Sequence, residues 1–505
     1  MKRSVRNVLK KLSMPMGSKP VSDSLLLKGF QCKKRYWLEQ HRPELKKPDL
    51  SGAEWKKMVK EEVGTEALKL FEGALQIKGR TLKSAAKATQ KAIAKQTTIL
   101  LDAVFIHENV VTRVDAMVWE ETGYSLYEIK SSAGIKDVYF NEAAIKWAIV
   151  TLCKVHLVRS FVLHINNKYV RNGELDPGRL FVKKNITQVV RRRQEEVIKA
   201  MDDLLSIKKD KPQIHIGSWC NDPYECDFRK HCWRDVPTPS VFDLHKLPGK
   251  KKFELYRQGI VTFEALEDRV ELTPFQQHQV DAELEGRDHL DRPALESFLA
   301  KIRYPVYFLD FETYQQAVPR FDKLRPYEQI PFQFSLHVME CEGAVPSHVE
   351  FLAEEGSDPR RLLAERLVEV MGSEGTILAY NQAFEKGVIR KLGELFPDLQ
   401  EALDAMQVRF VDLMYPFEKG LYYTRRMNGR HSLKTVLPAM VPELSYQGME
   451  IGHGGQAMNA YATLHLVDDE SRRELVRQSL LEYCKLDTLA MVKIWGKLKK
   501  LIKTA

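Results

Sequence analysis

The sequence contains no long apolar segment that is free of charge. Its most apolar helix-like stretch, residues 143–158, is interrupted by Lys146 and Lys154, whereas a membrane-spanning helix needs about 20 predominantly apolar residues. The first residues are basic but lack the continuous apolar core of a secretory signal. We therefore expect neither a membrane span nor secretion.

Cysteines are also scarce, with seven in 505 residues. These few cysteines are unevenly distributed along the chain, which fits a reducing compartment better than a disulfide framework. We therefore expect a cytoplasmic protein. Internal repeats and low-complexity tracts are absent from the sequence. This absence argues against a repeat architecture.

The composition is that of a globular protein with a basic surplus. Hydrophobic residues make up 44% of the chain, charged residues 29%, and the net charge is +10. The length predicts two to four domains, and the charge favours a polyanionic partner, namely nucleic acid. Basic clusters at 2–3, 191–193 and 250–252 agree with this expectation, although each is also typical of a solvated surface.

Changes in pattern along the chain predict an α/β protein with four segments. The first α/β unit contains three strand-like stretches that begin near residues 98, 110 and 124, and a helix that begins near Val138. The helical linker is predicted to be either a phosphate-binding helix-hairpin or a simple packed connector. The predicted segments are a flexible basic arm at 1–20, the first unit at 21–235, the linker at 236–300 and a second α/β unit at 301–505.

Four cysteines form a candidate metal site. Cys32 is followed much later by Cys220, Cys226 and Cys232, which are evenly spaced in the loop SWCNDPYECDFRKHCW. Thiolates hold iron–sulfur clusters, and the spacing differs from the paired C-x2-C of a zinc ribbon. The pattern favours an iron–sulfur cluster over zinc, with buried structural thiols as the remaining alternative.

A first acidic site is predicted from strand geometry. Residues two apart on a strand share a face, so Glu128 and Lys130 point together while Asp115 comes from the neighbouring strand. The two carboxylates would hold Mg²⁺, and Lys130 would orient water or stabilise the scissile phosphate. Asp102 and Glu66 are candidate helpers.

A second acidic site begins with Asp310 and Glu312 in FLDFET, which are again two apart. Tyr483 and Asp487 lie four apart on a predicted helix and therefore share one of its faces. Asp487 would complete a two-metal site and Tyr483 would hold the attacking water. The remaining carboxylate is assigned to Glu385, four residues after Asn381, with Asp412 as the runner-up or as a brace for the sheet. Isolated carboxylates at the surface are the alternative.

Residues 20–235 resemble the PD-(D/E)XK restriction-endonuclease-like nucleases of the RecB type that carry a four-cysteine iron–sulfur cluster. The resemblance implies a 4Fe-4S cluster that clasps the first unit, and it implies catalytic roles for Asp115, Glu128 and Lys130. The ligands that it implies are Cys32, Cys220, Cys226 and Cys232. Such families place Gln on the helix after the catalytic strand, where this chain has Lys146.

Residues 303–500 resemble the DnaQ-like 3′→5′ exonucleases of the ribonuclease H fold that have a tyrosine in their third motif. The resemblance implies a catalytic set with Mg²⁺ or Mn²⁺, in which Glu385 stands where the family has Asp. That set is Asp310, Glu312, Glu385, Tyr483 and Asp487. Nearly the whole chain also resembles the bacterial family of domain of unknown function 2779, in which an iron–sulfur nuclease-like half precedes an exonuclease-like half.

These patterns predict a metal-dependent nuclease that acts on DNA at a 3′ end and carries a second, RecB-like site. Three alternatives remain: an enzyme that trims RNA, a nucleic-acid-binding protein whose iron–sulfur unit is inactive, and redox sensing by the cluster.

Overall fold

The computed structural model describes residues 20–47, 52–208, 210–266 and 270–503. The predicted basic arm lies outside these residues except for its last position. The described chain divides into two compact units, and both contain helices and strands, which confirms the α/β class. The first unit contains residues 20–47, 56–208, 210–235 and 316–327; the second contains 52–55, 236–266, 270–315 and 328–503.

Within the described residues, the first unit has a seven-stranded mixed sheet in the order β2-β3-β4-β5-β6-β7, and β1 pairs with β4. Strands β3, β4 and β5 are antiparallel neighbours, whereas β5 and β6 are parallel. The strands are β1 (Val21–Ser22), β2 (Leu75–Gln76), β3 (Ile99–His107), β4 (Val110–Glu120), β5 (Gly123–Lys130), β6 (Leu157–Ile165) and β7 (Phe181–Asn185).

One helix, α5, provides the crossover that a parallel β5–β6 pair requires. Its residues Ala144, Ile145 and Ile149 are fully buried in the core of the unit. The helices of this unit are α1 (Asp23–Gln31), α2 (Lys33–His41), α3 (Ala53–Leu68), α4 (Leu82–Ala94), α5 (Asp137–Leu152), α6 (Pro177–Leu180), α7 (Thr187–Arg192), α8 (Gln194–Leu205) and α9 (Arg229–Cys232). The first residues of α3, before Lys56, belong to the second unit.

The second unit has, in its described part, a five-stranded sheet in the order β11-β10-β9-β12-β13. The central strand β9 is antiparallel to β10 and parallel to β12, so both of its edges are paired. The strands are β8 (His289–Leu290), β9 (Val306–Tyr314), β10 (Ile330–Met339), β11 (Ser347–Leu352), β12 (Thr376–Ala379), β13 (Phe410–Asp412) and β14 (Tyr422–Tyr423); β8 and β14 form a separate ladder.

Helices cover this second sheet, and the last of them, α19, packs against β9 and β10. Its buried side chains include Met491, Ile494 and Trp495, which join a core cluster with Phe308 of β9. The helices are α10 (Gly249–Arg257), α11 (Pro274–Glu285), α12 (Arg292–Leu299), α13 (Arg360–Val370), α14 (Ala383–Leu395), α15 (Gln400–Gln407), α16 (Tyr415–Glu418), α17 (Leu433–Met440), α18 (Gly454–Leu464) and α19 (Glu470–Lys503).

Most of the elements predicted from pattern are present. Strands β3 to β5 coincide with the three predicted strands, and α5 with the predicted helix. The predicted linker, 236–300, contains helices α10 to α12, and its described residues belong to the second unit. Among the residues described, none of the helices is both long enough and apolar enough to cross a membrane.

Candidate functional site: two acidic clusters and a cysteine cluster

Three carboxylates converge on one point in the second unit. Asp310 and Glu312 alternate with buried Phe311 on β9 and therefore share one face of the sheet. Helix α19 brings Asp487 to the same face. Each residue offers one carboxylate oxygen, and the three oxygens lie within 4.8 Å of one another, the spacing of ligands around a metal ion.

Burial and mutual repulsion strongly raise the pKa values of these carboxylates. Burial, followed by repulsion from Asp487, raises the pKa of Asp310 well above its ordinary value and that of Glu312 to about 8. Burial also raises the pKa of Asp487 to about 6, although hydrogen bonds and Lys434 oppose the shift. The cluster is therefore costly to ionise unless positive charge is placed beside it.

Glu385, on the first turn of α14, faces this cluster. Its charge is among those that raise the pKa of both Asp310 and Glu312. It is buried, its Oε2 atom has no hydrogen-bond partner, and burial raises its own pKa to about 8. A buried carboxylate oxygen left unpartnered beside three converging carboxylates fits a site for a hard divalent cation.

Asp412, the alternative to Glu385, is instead engaged with the backbone. Its carboxylate accepts from the amides of Asn381 at 2.9 Å, Gln382 at 3.2 Å and Met414 at 2.9 Å. Asn381 has a positive φ of 74°, and the bonds to its amide and to that of Gln382 hold the turn that leads into α14. Asp412 therefore braces the helix that carries Glu385.

Two tyrosines and a lysine line the same site. Tyr446 donates a 2.5 Å hydrogen bond to Asp487 Oδ1, and the Tyr483 hydroxyl also opposes the rise in the pKa of Asp487. The Nζ atom of Lys434 lies 4.9 Å from the centroid of the Tyr483 ring, and its charge acts on Asp487, Glu312 and Asp310. The site thus combines a carboxylate cluster with one cation and two phenolic hydroxyls.

The first unit brings Asp115, Glu128 and Lys130 together as well. Asp115 Oδ2 accepts from the amide of Ile129 at 2.8 Å, which ties β4 to the end of β5. Lys130 Nζ lies 3.4 Å from Glu128 Oε2, and the other oxygen of Glu128 is buried without a hydrogen-bond partner. Burial raises the pKa of Glu128 to about 7, although Lys146 opposes the shift.

Lys146 of α5 also enters this first site, together with Glu142 one turn earlier on the same helix. Its Nζ atom lies 2.5 Å from Glu128 Oε2 and 3.5 Å from Glu142 Oε1. Burial opposes ionisation of Glu142, but Lys130 and Lys146 outweigh it and lower its pKa to about 2. Burial disfavours the ammonium of Lys146, yet the surrounding carboxylates raise its pKa well above the ordinary value.

The two candidate helpers of the first site lie in different surroundings. Asp102 lines a cleft of about 490 Å³ together with Asp115. It has a positive φ of 55° and accepts a 2.5 Å hydrogen bond from Gln76. Glu66 forms an ion pair at 2.8 Å with Lys69. Asp102 is therefore placed beside Asp115, whereas the partner found for Glu66 is a surface lysine.

The four cysteines predicted to act together line one small cavity in the first unit. Burial raises the pKa of Cys226 to about 11 and also raises those of Cys32 and Cys232, and Cys220 is among the groups acting on all three. Backbone amides oppose this rise in the pKa of Cys32 and Cys226. Among the described residues, no three of the cysteine sulfurs form a group within 4.8 Å of one another.

Sequence reasoning missed several members of these sites. Lys434 and Tyr446 belong to none of the predicted catalytic motifs. Tyr446 and its partner Asp487 are 41 residues apart, so no local pattern joins them. Glu142 had a detectable signal, because it lies four residues before Lys146 on a helix, which is the spacing of an ion pair.

Comparison with known proteins gives two matches. Residues 307–432 match the family described as "Domain of unknown function (DUF2779)". A protein of Mycoplasma pneumoniae (strain ATCC 29342 / M129 / Subtype 1), described as "Uncharacterized protein MG366 homolog", is 23% identical over 217 residues. That alignment covers 38% of this chain and 32% of the relative, so the chain spans about a third of the relative's length. The matched family region thus contains Asp310, Glu312 and Glu385 and ends before Tyr483 and Asp487.

Proposed function

We propose that the second unit is a metal-dependent 3′→5′ exonuclease of the DnaQ-like, ribonuclease H-fold type that acts on DNA. The observation that carries the proposal is the convergence of Asp310, Glu312 and Asp487, with three carboxylate oxygens within 4.8 Å. Glu385, which faces Asp310 and Glu312 and has an unpartnered buried oxygen, supports it as the fourth carboxylate.

The carboxylates Asp310, Glu312, Asp487 and Glu385 would hold Mg²⁺ or Mn²⁺, because hard divalent cations prefer oxygen ligands. Metal ions held there would supply the positive charge that makes water a better nucleophile and stabilises the leaving oxygen. Tyr483 would position the water, as expected from its place one helical turn before Asp487.

Two further residues of the site have roles in this proposal. Tyr446 fixes the orientation of Asp487 through its 2.5 Å hydrogen bond. The ammonium of Lys434, which is held at 3.0 Å by the carbonyl of Gly452, would contact a phosphate oxygen of the substrate.

We further propose that the first unit carries a 4Fe-4S cluster on Cys32, Cys220, Cys226 and Cys232. The four cysteines line one cavity, and their thiols act electrostatically on one another, which supports a common set of ligands. Four sulfurs on one zinc ion would lie about 3.8 Å apart. Among the described residues, no three of these sulfurs lie within 4.8 Å of one another, and this wider spacing favours a cluster of several iron atoms over a single zinc ion.

The substrate is proposed to be DNA with an accessible 3′ end, and the net charge of +10 supports a polyanionic partner. The Asp115, Glu128 and Lys130 site is the candidate for a second, RecB-like hydrolytic centre. The ion pair between Lys146 and Glu128 favours the alternative in which the first unit binds nucleic acid without cleaving it.

The test is an assay on end-labelled single-stranded DNA, double-stranded DNA and RNA with Mg²⁺ or Mn²⁺. Asp310→Asn should abolish the release of nucleotides from the 3′ end while binding persists, because the change removes a metal ligand and no phosphate-contacting cation. Asp468→Asn, which alters an exposed acid of the same unit, is the matched control. Full activity of Asp310→Asn would refute the site, and degradation of RNA alone would reassign the substrate.

A further inference from the structure

The first acidic site contains its own positive charge. Lys146 is 5% exposed and Glu128 is 1% exposed, and the Nζ atom of Lys146 lies 2.5 Å from Glu128 Oε2. Lys146 projects from α5, the crossover helix that is buried against the sheet. The ammonium is therefore fixed by the fold and does not sit on a free surface side chain.

Two glutamates and two lysines of the first acidic site form a cyclic network of ion pairs. Lys146 Nζ also lies 3.5 Å from Glu142 Oε1, and Lys130 Nζ lies 2.8 Å from Glu142 Oε2 and 3.4 Å from Glu128 Oε2. Each glutamate thus contacts both lysines. The two carboxylates and the two ammoniums compensate one another, and Asp115 and Asp23 contribute further negative charge nearby.

The second unit provides the contrast within the same chain. There, four carboxylates face one another with Lys434 as the neighbouring cation, and three of them reach the spacing of metal ligands. In the part of the chain that is described, no such group of three includes Asp115, Glu128 or Glu142. The second site needs added positive charge, whereas the first already contains it.

A divalent ion on Glu128 would have to displace the Lys146 ammonium from Oε2, or bind the buried, unpartnered Oε1 and lie beside that ammonium. The first option leaves a buried ammonium without its closest partner, and the second brings like charges together in surroundings of low polarity. The residues of the first site therefore do not fit the metal that its resemblance to RecB-type nucleases implies.

We propose that the first site takes no divalent metal, because Lys146 gives Glu128 the positive charge that a metal would otherwise give. The Asp115, Glu128 and Lys130 site would then carry out no metal-dependent hydrolysis. In the first unit, the acidic residues would instead form a network of ion pairs in which carboxylates and ammoniums neutralise one another. This inference does not rest on the exonuclease proposal, since it concerns metal binding at a different place.

The experiment titrates Mn²⁺ into the full chain and measures binding by the loss of the free-ion electron paramagnetic resonance signal. All proteins carry Asp310→Asn and Asp487→Asn, which remove the second site. This background protein should bind no Mn²⁺ that depends on Glu128. Adding Lys146→Gln should create one site that binds Mn²⁺ at least about tenfold more tightly than the background does, and Glu128→Gln should remove it again.

Two results would overturn the proposal. One is a background protein that binds Mn²⁺ and loses it on Glu128→Gln; this comparison needs no change at Lys146, so it holds even if Lys146→Gln fails to fold. The other is a folded Lys146→Gln protein, with an unchanged circular dichroism spectrum, that gains no Mn²⁺. Neither readout requires cleavage, so failure of the exonuclease proposal is distinguishable from failure of this one.

Discussion

At the scale of single residues, the two acidic sites use the same side chains in opposite electrostatic settings. Glu312 and Glu128 both lie on central strands, and both are buried. Glu312 is surrounded by Asp487 and Glu385, with Lys434 opposing them, whereas Glu128 is closest to Lys146. The neighbours, and not the glutamates themselves, account for the different charge balance of the two sites.

The raised pKa values in the second site predict an unusual pH dependence of stability. Burial raises the pKa of Glu312 and of Glu385 to about 8 from an ordinary value of 4.5, with Asp487 and Asp412 respectively contributing. The folded state then binds more protons than the unfolded state, so this contribution is present at low pH and is lost as the pH rises through about 8. The charges of Lys434, Asp310 and Asp487 interact with that of Glu312, so the protonation of these groups is coupled and contributes to the same pH dependence.

We therefore expect the chelator-treated protein to have a lower melting temperature at pH about 8.5 than at about 6. Mg²⁺ should raise the melting temperature more at the higher pH, because the cation binds the ionised carboxylates. Scanning calorimetry measures both effects, and Glu312→Gln should weaken them. Equal Mg²⁺ stabilisation at the two pH values would contradict the linkage.

At the scale of elements, a residue outside α14 holds the turn that leads into this helix. Helix N-termini leave backbone amides unpaired, and Gln382, at the cap position, makes no side-chain capping bond. Asp412, which ends β13, accepts hydrogen bonds from the amides of Asn381 and Gln382, the two residues that precede α14. A strand end therefore holds the helix that presents Glu385.

Asp412→Ala should destabilise the second unit by about 1–3 kcal/mol, the typical cost of leaving such groups unpaired. The midpoint of unfolding in urea, followed by circular dichroism, should fall, and exonuclease activity should fall with it because α14 carries Glu385. Asp404→Ala, an exposed acid on α15, is the control and should leave both unchanged. Identical midpoints for the two variants would show that Asp412 has no bracing role.

The cysteine loop makes a separate prediction. Anaerobically purified protein should be brown, with broad absorbance near about 400 nm and bound iron and sulfide. Cys226→Ser should lose the colour and destabilise the first unit, while Cys153→Ser should keep both, because Cys153 does not line the common cavity. Colourless protein with stoichiometric zinc would refute the cluster.

At the scale of the whole molecule, each unit contains its own complete set of candidate residues. Asp310, Glu312, Glu385 and Asp487 belong to the second unit, and Lys130 to the first. The division is not a simple cut in the sequence, because residues 316–327, which follow β9, belong to the first unit. There the Tyr327 hydroxyl donates to the carbonyl of Ser131.

Lys130→Ala should accordingly leave the rate of nucleotide release from a 3′ end unchanged at saturating substrate, whereas Asp310→Asn abolishes it. Binding of both variants, measured by fluorescence anisotropy, should weaken with salt, because lysine and arginine contacts to phosphate release counterions. If Lys130→Ala removes every product on every substrate, as Asp310→Asn is expected to do at the 3′ end, the two acidic sets act as one composite centre and the two-unit interpretation is wrong.

The sequence by itself determined the local pairings. A strand repeats every two residues and a helix every 3.6, so Asp310 with Glu312, Glu128 with Lys130, and Tyr483 with Asp487 share faces whatever the surrounding fold. The grouping of the cysteines followed from ligand chemistry and from a recognised resemblance, and the structure places the four around one cavity.

Only the tertiary structure decided which distant groups meet. It paired Tyr446 with Asp487, turned Asp412 into the brace of α14 and placed residues 316–327 in the first unit. It also brought the ammonium of Lys146 to Glu128, which the sequence marked only as a departure from a family pattern. Such contacts depend on how helices and strands pack, and backbone periodicity carries no information about partners in other elements.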